Sequence, residues 1–233
     1  MVVLATKLYV EGDARERALD SLRSLVDNEV GDLAVEFDLG VRHDEFPSVT
    51  IEGEDATVAR NVLREEFGEI VPDLEAGETY VGTLESWDES GFVLDAGQGD
   101  GVRIPTDELG LGPGSAEQIR DRYGLVQHVP LQFVYGGADG SADDDAVPSR
   151  LADAERDRLY DWSRGNGRLN VNCATRAEVR ATLNRAGHAQ DYVTVERLGL
   201  LEQSVVCTES TDPPGLLASV GEYLPAELRC VVP

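Results

Sequence analysis

Residues 77–105 read GETYVGTLESWDESGFVLDAGQGDGVRIP, and this stretch decides how the chain divides. Its apolar residues come in short runs, Tyr80–Val81, Phe92–Leu94 and Val102–Ile104, with glycines at 77, 82, 91, 97, 99 and 101 around them. Runs this short, bounded by glycine, predict curved strands joined by tight turns rather than helices. Strands are expected over 78–87, 91–96 and 101–105, then over 129–135 after a helix near 115–123.

Upstream, PDLEAG at 72–77 is a turn-rich boundary. Before it, residues 2–10 predict a strand, and 14–27 a helix carrying Ala14, Ala18, Leu22 and Leu25 at helical spacing. Strands follow at 33–39 and 47–52, a second helix at 55–67 with Val58, Val62, Leu63 and Phe67 as its stripe, and a short strand at 69–71. This β-α-β-β-α-(β) order predicts a ferredoxin-like α/β domain over 1–72. Downstream, 137–149 is acidic and of low complexity, which predicts a solvated linker. Calcium ligation by Asp139, Asp143, Asp144 and Asp145 is disfavoured, because EF-hand spacing is absent. Residues 150–233 predict a C-terminal small α/β domain: a helix at 150–163, a strand at 168–173, a helix opened by Thr175 with Glu178 as its capping box, and strands within 192–208. A short helix after Asp212-Pro-Pro and a last strand at 227–232 complete it. The fold class expected is α+β, in three small domains.

The order of Gly77-Glu-Thr-Tyr-Val-Gly82, Trp87-Asp-Glu-Ser-Gly-Phe-Val-Leu94 and Gly101-Val-Arg-Ile-Pro105 with Glu108-Leu109 resembles the S1-like branch of the OB-fold, over residues 73–136. The resemblance implies a small closed barrel with a nucleic-acid face. In that family an aromatic flanks the second-strand glycine on each side; Phe92 takes one place and Ser90 stands at the other. Arg103 is the clearest basic residue on that face. The three-domain order also resembles an uncharacterised archaeal, haloarchaeal-type protein family.

The 233 residues are 41% hydrophobic, enough for one large core or several small ones. The net charge is -25, Lys7 is the sole lysine, and the other basic residues are arginines. This balance resembles proteins of salt-loving archaea, where a carboxylate surface keeps the chain hydrated. At molar salt the Debye length is about 3 Å, so the overall field does not forbid a local arginine patch from touching phosphate. No run of 18 apolar residues exists, which excludes a membrane-spanning helix and predicts a cytoplasmic protein. Cys173, Cys207 and Cys230 are far apart and lack CxxC spacing, so reduced, buried thiols are expected.

Residues 150–200 carry more basic than acidic residues, against the trend of the chain. Arg164, Arg168, Arg176, Arg180 and Arg197 are therefore candidate phosphate contacts, beside Phe92 and Arg103 of the central domain. Pairing with Asp157, Asp161, Glu178 and Glu196 is the bland account of the same arginines. Tyr80, Trp87, Phe92 and Tyr135 fit either a core or a stacking surface. His43, His128 and His188 stand alone in the sequence; no metal or cofactor motif occurs, and no catalytic set is assigned. The function expected is a non-enzymatic RNA- or ribosome-associated protein. A protein–protein adaptor is the alternative. An enzyme would need an inter-domain pocket, with His188 beside Cys173 or His43 near carboxylates.

Overall fold

A computed structural model describes residues 1–137, 147–224 and 226–233. Most of the predicted acidic linker, with Asp139, Asp143, Asp144 and Asp145, lies outside the described residues. The described chain is a mixed α+β structure built on three open antiparallel sheets.

The first sheet has the order β1 (Val2–Val3), β3 (Pro47–Gly53), β2 (Val35–Val41). Alternation explains β2: Val35, Phe37, Leu39 and Val41 face the core between Glu36 and Asp38. Helices α1 (Gly12–Val30) and α2 (Ala56–Phe67) cover it with Leu22, Val26, Ala59 and Leu63, all fully buried. The ferredoxin-like expectation is corrected here. The strand predicted at 2–10 ends at Val3, and the one predicted at 69–71 is a single bridge, Leu4 to Glu69. Residues 6–9 leave the sheet because Thr6, Lys7 and Tyr9 bond to the other two units.

The second sheet has the order β6 (Val102–Pro105), β5 (Gly91–Asp95), β4 (Thr79–Asp88), β7 (Pro130–Val134), β8 (Arg150–Leu151). The strands lie close to where the glycine punctuation predicts them, yet the S1-like barrel expectation is overturned. A barrel needs its edge strands to hydrogen-bond each other. Here β6 pairs only with β5, and the two-residue β8 only with β7. The open face is filled instead by Ile119 of α3 (Ala116–Arg122) and by Leu159 and Trp162 of α4 (Asp153–Arg164). Gly91 is held at φ 145°, and a Cβ there would run into the Ile104 carbonyl, so the close β5–β6 approach requires glycine.

The third sheet has the order β10 (Tyr192–Arg197), β11 (Gln203–Cys207), β9 (Arg168–Val171), β12 (Leu228–Val231). Helices α5 (Arg176–Arg185) and α6 (Pro213–Val220) share its core through Val179, Leu183, Leu216 and Val220. The capping box read from sequence forms: Thr175 Oγ1 accepts from the Glu178 N–H, and Glu178 Oε2 accepts from the Thr175 N–H at 2.9 Å. Asp212 is the N-cap of α6, accepting from the Gly215 N–H at 3.0 Å.

Candidate functional site

A groove of about 500 Å³ lies between α4 and the third sheet. Arg158 and Trp162 come from α4, Arg168 from β9, Arg176 from the first turn of α5, and Glu196 and Arg197 from β10. Four guanidinium groups thus converge from four elements, with Asp161 and Glu196 as the carboxylates lining the same groove. Trp162 is buried, and the Arg158 and Arg168 guanidiniums sit 5.0 and 5.2 Å from its ring centroid. Cation–π contact of this kind orients the arginines and leaves their N–H edges free to bond. Three of them have acidic partners. Arg158 pairs with Glu155 at 2.5 Å, Arg168 with Glu196, and Arg197 with Glu66 while lying 4.6 Å over Phe67. Arg176 is exposed and has no ion pair among the described residues.

The structure therefore gathers Arg168, Arg176 and Arg197 in one place and adds Arg158, which sequence reasoning missed. Its only signal was position, one helical turn before Trp162. Arg180 is exposed one turn beyond Arg176 on α5, and Arg164 is exposed with its guanidinium 5.4 Å from the Tyr160 ring. Neither lines the groove. Glu178, weighed as a partner for these arginines, bonds to Arg17 of α1 at 2.7 Å instead.

The central domain's predicted nucleic-acid face is not there. Phe92 is fully buried within the second core, where a base cannot stack on it. Arg103 is tied to Asp88 at 2.8 Å and to Ser90 Oγ. Arg103 and Ser90 together hold the Asp88 carboxyl well below the usual range. Tyr80 spends its hydroxyl on the Glu75 N–H, and Trp87 is covered by the buried Arg120 guanidinium, 3.5 Å from its centroid. The reading of this domain as an RNA-binding barrel is withdrawn with the barrel itself.

A second polar cluster lies where the three units meet. A bulge in β4 between Leu84 and Ser86 re-aims Glu85, a usual effect of an extra residue in one strand. Glu85 and Asp95 then bracket the chain's sole lysine, Lys7, at 2.9 and 2.8 Å. Burial pulls the Lys7 pKa down, but its bonds to Asp95 and Glu85 outweigh this and leave it raised. His128, at φ 65°, brings Nδ1 to 3.3 Å from Glu85. His128 and then Lys7 hold Glu85 down at about 2. Nδ1 makes no well-directed hydrogen bond, so Lys7 is the firmer partner.

Beside it, Tyr9 donates to Glu202 Oε1 at 2.6 Å and accepts from the Cys173 N–H at 3.0 Å. Glu202 is fully buried, and its Oε2 has no hydrogen-bond partner among the described residues. Burial pushes this carboxyl up to about 8. Burial also raises the Tyr9 hydroxyl, and then the adjacent Glu202 adds to the rise. Cys173 sits at φ 56°, a backbone region that non-glycine residues seldom occupy and that clusters where surroundings over-determine the chain.

The pairings that an enzyme reading looked for do not form. His188 bonds to Asp191 and Ser219, and His43 lies exposed on the first unit. All three cysteines are free, and burial raises each thiol; Cys207 and Cys230 reach about 11. Among the described residues, no group of three or more His, Cys, Asp or Glu side chains could hold a metal, and no helix is long and apolar enough to cross a membrane.

No curated protein matches the chain. Three family models do. Residues 1–73 match the DUF2110 N-terminal domain, 74–163 the DUF2110 central domain, and 166–232 the DUF2110 C-terminal domain. These matches replace the expected haloarchaeal-type family with a central S1-like domain. An acidic composition sets hydration and solubility, not ancestry. With almost every residue covered by its three models in order, the chain belongs to the DUF2110 family.

Proposed function

We propose that this is a binding protein acting on RNA or the ribosome, which holds a phosphate-bearing partner in the groove between α4 and the third sheet. The observation that carries the reading is the convergence of Arg158, Arg168, Arg176 and Arg197 on one groove of a chain with net charge -25. A planar guanidinium matches two phosphate oxygens at once. Glu196 and Glu66, the partners of Arg168 and Arg197, are themselves 44% and 39% exposed, and pairs reached by water contribute about 0–1 kcal/mol each, so a phosphate can exchange for them. Glu155 is buried, so Arg158 keeps that pair. Arg176 needs no exchange at all. The reading asks for no reacting group, and free cysteines support a cytoplasmic location.

The test is fluorescence anisotropy of labelled single-stranded RNA against the full chain over a salt series. Binding is expected, and Arg176→Glu weakens it about tenfold while lowering the salt slope by about 1. Phe92→Leu leaves it unchanged. RNA binding no stronger than to an unrelated acidic protein, or binding indifferent to Arg176→Glu and Arg158→Ala together, overturns the proposal.

A further inference from the structure

His188 closes the turn after α5, and its two ring nitrogens have different partners. Nδ1 lies 2.6 Å from Asp191 Oδ2, and Nε2 lies 2.6 Å from Ser219 Oγ near the end of α6. A carboxylate only accepts, so the shared proton places N–H on Nδ1. In the neutral ring Nε2 is then the acceptor, and the Ser219 hydroxyl donates to it. A hydroxyl bonded to an imidazole that is itself oriented by an acid is the arrangement that activates a serine nucleophile. Sequence reading gave no sign of it, because 31 residues separate the serine from the histidine. Ser219 does not line the arginine groove.

We infer that Ser219, His188 and Asp191 form an acyl-transfer site that takes activated acyl esters and thioesters. Ser219 Oγ attacks the acyl carbonyl while His188 Nε2 takes the hydroxyl proton. The thiolate or alkoxide leaves with that proton, giving an acyl-serine. Water repeats the sequence, releases the carboxylic acid and restores the serine. Asp191 is a positioning residue that fixes the imidazole tautomer. Among the described residues, the Ala189 and Gln190 N–H groups on the same turn have no protein acceptor. Ser219 is exposed, so substrate arrives on an open surface that supplies little binding energy. The leaving group must therefore be a good one, which selects thioesters and aryl esters over amides.

The experiment treats the full chain with 4-nitrophenyl acetate and, separately, with a fluorophosphonate that loses fluoride on attack, and maps adducts by mass spectrometry. One adduct on Ser219 is expected. Ser219→Ala removes it, His188→Gln slows it about 10²-fold or more, and Asp191→Asn slows it while Asp191→Glu restores part of the rate. Thermal melts establish that each variant is folded. Should His188→Gln not fold, Asp191→Asn decides by the same comparison. No adduct on Ser219, or an undiminished rate in a folded His188→Gln or Asp191→Asn, overturns the assignment.

Discussion

Glu202 shows how far a single residue can escape a reading of sequence. Nothing in Leu200-Leu201-Glu202-Gln203 announces that the carboxyl will be entombed, because its surroundings come from Tyr9 and Thr6, almost two hundred residues away. A separation of 164 residues likewise hid the Cys173–Tyr9 contact, and one of 31 the Ser219–His188 contact. The arginines were legible because local charge stood out against an acidic chain; which of them converge was not, since that depends on how α4 and β10 pack. The buried carboxyl has a measurable consequence. Its pKa is about 8 in the folded chain against an ordinary 4.5, so the folded state keeps its proton while the unfolded state loses it. Between those values the folded state binds more protons, and stability falls as pH rises. Below about pH 4.5 the contribution is intact, and above about pH 8 the loss is complete. Glu202→Gln keeps the acceptor for Tyr9 and removes the titration. Denaturant melts at pH 5 and pH 8 are expected to lie closer together in the variant than in the parent. An unchanged spread between the two pH values rules out a protonated Glu202.

At the level of elements, local signals were reliable and closure was not. Thr175 and Glu178 announce a capping box because both partners lie within one turn, and the box forms. The alternation of β2 is likewise local, and the expected stripes hold at Ala18 and Leu22 of α1 and at Leu63 and Phe67 of α2; Val58 is instead exposed, with Ala59 and Val26 taking the buried places. The barrel failed because closure is decided between β6 and β8, edges more than forty residues apart whose short lengths no motif encodes. Phe92 followed from that error: its place beside a glycine suggested a stacking face, while its neighbours Leu84, Leu94 and Ile104 made it core. The cap allows a direct test. Thr175 is buried, and its side chain satisfies an N–H that helix geometry leaves orphaned. Thr175→Ala is expected to destabilise the chain by about 1 kcal/mol in chemical denaturation. Serine at the same position is expected to recover most of that loss, and a serine variant as unstable as alanine removes the cap from the explanation.

Across the whole molecule, three sheets that sequence separates into domains share side chains, so their stabilities are coupled. Leu200 and Leu201, between β10 and β11, belong to the core of the first unit and not their own. Val231 of β12 packs in the second core, and Glu227 joins Arg120 and the Gln127 N–H across the same boundary. Lys7 ties the first unit to the second, and Tyr9 ties it to the third. Contacts between independent domains are usually more polar and looser than this. A buried leucine that crosses the boundary is the sharpest probe, because its removal leaves a cavity in a core that its own unit does not build. Leu201→Ala is expected to cost about 2–5 kcal/mol. If the units unfold together, hydrogen exchange then accelerates in α1 and α2 of the first unit as well as in β10 and β11 of the third, by similar factors, since each opens through the same global event. If the units open separately, the first unit alone loses protection, because the cavity lies in its core, and the third sheet exchanges as before. The second pattern would make the junction a docking surface between independently stable parts; the first makes Lys7, Tyr9 and Leu201 elements of one core that the sequence presents in three pieces.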